Sequence, residues 1–301
     1  AADWGSSRLR VWGMDAAGAV LDEASSYAGA GRLSSDGFEP ALLSLIAPWL
    51  GERAVQVVVC GMAGARQGWA EAPYAPVPCA PVGASVIAPT RDARLDVRLL
   101  AGLSQVNPPD VIRGEETQIA GLLAADPGFD GVVCLPGTHS KWVHVAAGQG
   151  GGEVFHFASF MTGEVFDLLS RRSVLRHTVA EAGHDAAAFA EALDEAMSRP
   201  ERAFARLFSL RAEALVGEAD PAAARARLSG LLIGAELAAA KPYWLGRRVA
   251  LIGAAGLAEL YAASLAQTGL TAERRDAERC TLDGLRAARL ALMEGPSWRA
   301  S

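Results

Sequence analysis

Asp3-Trp4-Gly5-Ser6-Ser7-Arg8-Leu9-Arg10 is matched near the middle of the chain by a similar arrangement, Leu135-Pro136-Gly137-Thr138-His139-Ser140-Lys141-Trp142. Each stretch has a short apolar lead-in, Gly with Ser or Thr at a tight turn, and a return into an alternating strand. A hairpin turn of this kind presents backbone N–H groups and a hydroxyl at its tip, a concavity suited to an anion such as phosphate. One such turn is ordinary loop chemistry. Its recurrence in corresponding halves predicts two phosphate turns, Gly5-Ser6-Ser7 and Gly137-Thr138-His139.

The 301 residues are 51% apolar, enough for two buried cores. The formal net charge of -6 and the lack of any Lys/Arg run speak against nucleic acid or an anionic membrane as partner. No apolar run approaches a membrane span, and the N-terminus goes straight into a strand without a charged-then-apolar leader, so a cytoplasmic protein is expected. Cys60, Cys79, Cys134 and Cys280 lie far apart, without metal or redox spacing, and read as buried thiols. His144, His156, His177 and His184 likewise lack ligand spacing and read as structural. Of 28 basic residues only Lys141 and Lys241 are lysine. Lys141 stands beside the second turn, where a compact ammonium does what a guanidinium fork does not; the bland reading is an exposed hairpin lysine.

The first half reads as a strand, a hairpin through Asp15-Ala16-Ala17-Gly18, an amphipathic helix over about 36–50, and a buried strand over 55–60 ending at Gly61. The Pro-rich stretch 72–89 has loop chemistry. Strand ends followed by Gly-rich loops are where open α/β sheets bind ligands, which draws notice to Met62 through Trp69. Glu115 and Glu116 precede Ile119, Leu122 and Leu123 at helical spacing, as acids at a helix N-terminus should. A strand over 132–135 opens the second half, helices broken at Pro200 and Pro221 fill 162–240, and a strand over 248–252 leads through Gly253-Ala254-Ala255-Gly256 into another helix. A last helix is expected over about 282–293, bracing the junction between domains at 1–118 and 119–301.

Five segments carry a resemblance to a known family: Asp3-Trp4-Gly5-Ser6-Ser7; Gly61-Met62 with Arg66-Gln67-Gly68-Trp69; Arg113-Gly114-Glu115-Glu116-Thr117-Gln118; Pro136 to Trp142; and Phe160-Met161-Thr162-Gly163-Glu164. Nearly the whole chain resembles the 2-dehydro-3-deoxygalactonokinases, sugar-acid kinases of the superfamily that shares an ATPase core with actin, hexokinase and the heat-shock chaperones. The resemblance implies an α/β fold of two ribonuclease-H-like domains with mixed sheets, and ATP in a cleft between them whose closure excludes water as a competing acceptor. It implies ATP-dependent phosphorylation of 2-dehydro-3-deoxy-D-galactonate at its terminal hydroxyl, in galactonate catabolism.

Residue by residue, the resemblance implies that Asp3 holds Mg²⁺ through water and that Ser6 and Ser7 meet the γ- or β-phosphate. The superfamily's second turn commonly carries an acid before its Gly; Leu135-Pro136 stand there instead, which throws more metal-holding onto Asp3. Gly137, Thr138 and His139 would cradle phosphate while Lys141 neutralises developing charge. Glu116, or else Glu115, is the expected base, with plain helix-dipole complementation as the alternative. Arg66, with Arg113 second, would fork the acceptor carboxylate, Gln67 and Trp69 would bond and cover its chain, and Gly253 to Gly256 would pass close to the adenosine. Thr162 is either a helix cap or a ligand contact. Glu115-Glu116 also resembles the acid segment of exopolyphosphatases, which leaves a phosphohydrolase as the alternative reading, and a non-catalytic nucleotide switch as a third. A homo-oligomer is left open.

Overall fold

The computed structural model of the chain describes residues 1–148 and 152–294. In chain order the elements are β1 (Ala2–Trp4), β2 (Leu9–Met14), β3 (Val20–Ser26), α1 (Phe38–Ile46), β4 (Val55–Gly61), β5 (Tyr74–Pro76), β6 (Ser85–Ile87), β7 (Leu95–Leu100), β8 (Gly102–Val106), β9 (Pro109–Ile112) and α2 (Glu115–Ala125). They continue with β10 (Gly131–Leu135), β11 (Ser140–Ala146), β12 (Glu153–Phe160), α3 (Thr162–Arg172), α4 (Ala186–Ser198), α5 (Ala203–Val216), α6 (Pro221–Ala239), α7 (Lys241–Trp244), β13 (Val249–Ile252), α8 (Ala255–Gln267), β14 (Glu273–Arg275) and α9 (Ala277–Glu294). The chain divides into two compact units, one of residues 1–130, 145–157 and 275 onward, the other of 131–144 and 158–274. The division expected at 118/119 falls inside α2, whose unbroken hydrogen-bonded run keeps it with the first unit; residues 149–151 and 295–301 of the expected second domain lie outside the described residues.

In the first unit a mixed sheet runs β3-β2-β1-β4-β7-β6, and a smaller one runs β5-β8-β9. β1 pairs antiparallel with β2 but parallel with β4, placing Asp3 opposite Cys60 and Trp4 opposite Gly61. The Val-rich β4 is buried through its second half, as a central parallel strand should be. Trp4, Phe38 and Trp69 meet in the core, with Trp4 ring centroids 4.9 Å from Phe38 and 6.0 Å from Trp69. The helix expected over 36–50 is α1 alone, flanked by single 3-10 turns, the second of which carries Pro48. The stretch 72–89 is not all loop: β5 and β6 lie in it, paired with β8 and β7.

The other large sheet runs β12-β11-β10-β13-β14, with β10 and β13 parallel. Both sheets run third, second, first, fourth in chain order, after which the first continues with β7 and β6 and the second with β14, so this is the expected α/β fold of two ribonuclease-H-like domains with mixed sheets. Pro221 sits in the first turn of α6, where its missing N–H costs nothing, behind Asp220, whose carboxylate accepts from the Ala222 and Ala223 amides.

The last helix starts at Ala277 rather than near 282, because Asp276 accepts from the Arg279 amide at 2.7 Å and begins the helix early. α9 packs along α2 with Gly121 set against the Cys280 carbonyl and Gly284 against that of Thr117, so close that a Cβ at either would collide with backbone. Alanine normally favours a helix over glycine by about 1 kcal/mol. Here Gly284→Ala should instead destabilise by about 1–3 kcal/mol in urea unfolding, the usual cost of overpacking; an unchanged or raised midpoint would show that the helices are free to part.

Candidate active site

Loops that follow parallel neighbouring strands emerge at one edge of a sheet. In the second unit β10 leads into the turn 136–139 and β13 into Gly253-Ala254-Ala255-Gly256, and the register Cys134 to Leu251 brings them side by side. A Cβ on Gly253 would lie 3.0 Å from the Pro136 carbonyl. The start of α3 closes on the same turn: the Glu164 amide donates to the Thr138 carbonyl at 2.9 Å, and Gly163 abuts Gly137 where a side chain would collide. Beside these segments opens a cavity of about 1110 Å³ whose lining includes Gly137, Thr138, Thr162, Gly163, Ser229 and Gly256. Two turns picked from sequence for phosphate and for adenosine therefore share one cavity with Thr162.

Around that turn, His139 Nε2 lies 2.5 Å from Glu164 Oε2. Lys141 is 5% exposed, so it is no surface hairpin residue, and its ammonium donates to the His139 carbonyl at 3.2 Å. Thr162 is not a helix cap. It is the first residue of α3, Met161 precedes it without a side-chain cap, and its hydroxyl donates to Glu236. Sequence reasoning passed over Glu236 and Tyr261. Glu236, 3% exposed, accepts from Ser140 Oγ and Tyr261 Oη at 2.7 Å each, from Trp142 Nε1 at 2.8 Å, and from Thr162. Burial, reinforced by Glu236, pushes the Tyr261 phenol well above its ordinary range, so it stays a donor. The one available signal was a lone acid in the apolar run Leu231-Leu232-Ile233-Gly234-Ala235-Glu236-Leu237.

In the first unit the turn 5–8 closes with the Gly5 amide on the Arg8 carbonyl at 2.9 Å, and its Gly5 and Ser6 carbonyls accept from Ala30 and Gly31. Ser6 and Ser7 are exposed at its tip. Asp3 Oδ2 is bound by Arg10 at 2.6 Å, and Oδ1 accepts from the Cys60 thiol at 3.7 Å. Burial, with Asp3 and Glu116 nearby, pushes that thiol well above the usual cysteine range and keeps it protonated. No group of three or more His, Cys, Asp or Glu that could hold a metal occurs among the described residues. Mg²⁺ asks for less than that, since it binds through one or two carboxylates, waters and substrate phosphates. Asp3 Oδ1, weakly engaged, fits such a role.

Both acids of the Glu115-Glu116 pair bond the start of their own helix. Glu115 Oε2 accepts from the Arg113 amide at 3.1 Å and Glu116 Oε2 from the Gly114 amide at 2.5 Å, where Gly114 turns the chain at a φ of 106°. Glu115 is partly exposed, whereas Glu116 is 0% exposed, and burial with the neighbouring Glu115 charge pushes its carboxyl up to about 8. Both Glu116 and Asp3 act on the Cys60 thiol, which places them at one end of β1 and β4.

The expected acceptor residues fare differently. Arg66 and Gln67 are exposed, with Arg66 Nε 3.4 Å from Glu71. Trp69 does not cover a ligand: it is buried among Trp4 and Phe38, with Nε1 donating to the Pro89 carbonyl at 3.0 Å. Arg113 is a strut, donating to the Ala72 carbonyl at 2.7 Å with its guanidinium 4.3 Å from the Tyr74 ring centroid.

Comparison with known proteins bears on the whole chain. The family model for 2-keto-3-deoxy-galactonokinase matches residues 3–288. A Rhizobium meliloti (strain 1021) protein designated "Probable 2-dehydro-3-deoxygalactonokinase DgoK1" is 41% identical over 97% of this chain and 96% of its own. The Escherichia coli (strain K12) protein designated 2-dehydro-3-deoxygalactonokinase is 33% identical over 81% of this chain and 80% of its own. A crystal structure of a Sinorhizobium meliloti protein with the same, provisional designation superposes with a TM-score of 0.88 at 41% identity, covering 97% of this chain and 98% of that one.

The buried acid makes a testable statement about stability. Unfolding returns Glu116 from about 8 to its ordinary value near 4.5, so between those values the unfolded chain binds fewer protons and stability falls as pH rises. The melting temperature should drop from pH 5 to pH 8, and Glu116→Gln should flatten that slope; an equal slope in both proteins would mean that the acid is not held protonated.

Proposed function

The chain belongs to the 2-keto-3-deoxy-galactonokinase family, and from that premise we propose that it transfers the γ-phosphoryl group of ATP to the terminal hydroxyl of 2-dehydro-3-deoxy-D-galactonate, giving the 6-phosphate and ADP. The observation that carries this reading is the cavity lined jointly by Gly137, Thr138, Thr162 and Gly256. Its size suits a nucleotide, and its lining offers a turn of backbone amides and a threonine hydroxyl at one place and a small-residue strand-to-helix loop at another. The family favours a kinase over a phosphohydrolase or a nucleotide switch.

In this reading the second unit holds ATP, with the amides of 137–139 on its phosphates and Gly253 to Gly256 beside its adenosine. Lys141 braces the turn through the His139 carbonyl and adds fixed positive charge beside it. In the first unit, Gly5, Ser6 and Ser7 form a second hydroxyl-rich tip, which this reading assigns to phosphate. Asp3, through Oδ1, is the residue that would hold Mg²⁺ by way of water, and the ion would neutralise phosphate charge.

Glu116 is the base that fits best. Its carboxyl, pushed up to about 8, is mostly protonated near neutral pH, so the ionised fraction is the form that accepts the hydroxyl proton, and as a base that form is stronger than an ordinary carboxylate. The acceptor oxygen forms its bond to the γ-phosphorus as the bridging oxygen of ADP leaves, and the hydroxyl proton passes to Glu116. Because Glu116 is buried on the Gly114 amide, contact with the acceptor requires the side chain to leave that amide. Arg66 and Gln67, in the exposed part of the loop after β4, are the groups assigned to the sugar-acid carboxylate and hydroxyls. A cytoplasmic location accords with this metabolism, and a homo-oligomer is compatible with it.

Two experiments separate the parts of this reading. Glu116→Gln should cut kcat by about 10²–10⁴-fold, the range for loss of a general base, while ATP binding survives; if Glu115→Gln is the variant that loses turnover, the exposed acid is the base. Ser229→Trp, which fills the cavity, should raise KM for ATP at least about tenfold, equivalent to 1.4 kcal/mol, and leave KM for the sugar acid alone. An unchanged KM for ATP would remove the nucleotide from this cavity.

A further inference from the structure

Glu236 does not line the cavity, yet its side chain bonds three separate stretches of chain that do or that adjoin it. Ser140 is the residue immediately after the phosphate turn. Thr162 opens α3, whose Gly163 and Glu164 rest on Gly137 and Thr138. Tyr261 lies on α8, little more than one turn beyond Gly256, and itself lines the cavity. Trp142, the fourth donor, belongs to β11 and fixes Glu236 against the sheet.

The chemistry of this cluster is unusual for a core. A carboxyl group offers about four acceptor sites, two on each oxygen, and here four neutral donors converge on it: three hydroxyls on Oε2 and one indole N–H on Oε1. An acid costs far more to bury than an apolar side chain of its size, and leucine or methionine would fill the space on α6 without that cost. What an apolar residue lacks is the ability to set the direction of four donors at once. Ser140 and Thr162 are both tied to Oε2, which fixes the turn against the start of α3; adding Tyr261 fixes both against α8.

We propose that Glu236 is a positioning residue for the nucleotide site, holding the turn 136–139, the N-terminus of α3 and helix α8 in the one arrangement that receives ATP. This rests on the assignment of the cavity to ATP. Glu236 touches no ligand; it acts through Thr162 and Tyr261, which line the cavity, and through Ser140, which anchors the turn. Its removal should therefore appear in nucleotide binding before it appears in chemistry.

The test compares wild type with Glu236→Gln, Thr162→Val and Tyr261→Phe. KM for ATP and for 2-dehydro-3-deoxy-D-galactonate are measured separately, with calorimetric binding of a non-hydrolysable ATP analogue and a melting temperature for each variant. Glu236→Gln keeps the shape but turns one acceptor into a donor, so KM for ATP and the analogue Kd should rise about tenfold or more, the effect of an unpaired buried polar group, with KM for the sugar acid unchanged. Thr162→Val and Tyr261→Phe, which each delete one donor, should weaken the analogue in the same direction and by less. Should Glu236→Gln fail to fold, those two variants carry the test alone. A lowered melting temperature with analogue affinity equal to wild type in all folded variants would make the cluster a core brace and overturn the proposal. Failure of the cavity assignment is a different result: Ser229→Trp would then leave the analogue affinity unchanged, whatever the Glu236 variants do.

Discussion

Parallel pairing of the first and fourth strand of each sheet is the constraint on which the candidate site depends. Two parallel neighbours end at the same edge, so the loops that follow them must emerge together. In the first unit β1 beside β4 puts Asp3 opposite Cys60 and Trp4 opposite Gly61. In the second, β10 beside β13 puts the turn after Leu135 next to the loop after Ile252. Segments more than 100 residues apart in sequence become neighbours through a few backbone hydrogen bonds. Central placement also explains why β4 and β10 are runs of Val, Cys and Leu, since a strand buried on both faces has no alternation to show.

Two buried acids use this scaffold in opposite ways. Glu236 draws four donors and ties loops together, so its value is geometric. Glu116 accepts from the Gly114 amide and the Thr117 hydroxyl, and burial beside Glu115 raises its affinity for a proton. Burial and a neighbouring acid make a carboxyl hold its proton more tightly, as at Glu116.

Much of the fold was legible in local chemistry. The two Gly-Ser/Thr turns, the acids at the start of α2 and the small-residue loop before α8 each carry their own signature, because turn geometry, helix dipoles and close backbone approach act over a few residues. The rarity of lysine singled out Lys141, yet its burial against the His139 carbonyl was not readable, since an alternating strand does not tell which face meets a helix. Trp69 and Arg113 were offered as ligand groups by the resemblance, since they stand in its motif segments. Only packing shows that one fills the core beside Trp4 and Phe38 and that the other spans the Ala72 carbonyl and the Tyr74 ring.

The sequence by itself determined the strand and helix patterning, the places where the chain must turn tightly, and the family to which its motifs point, because all of these rest on near neighbours. Tertiary structure decided which of those places meet. Glu236 and Tyr261 carry no local mark of their role, being an acid and a phenol on amphipathic or apolar helices. They acquire it only when α6 and α8 are laid against the sheet and Ser140, Trp142 and Thr162 come within hydrogen-bond reach. Likewise the pair Glu115-Glu116 is symmetric in sequence, and only the burial of Glu116, with no exposed surface, separates the acid that holds a proton near neutral pH from its partly exposed neighbour.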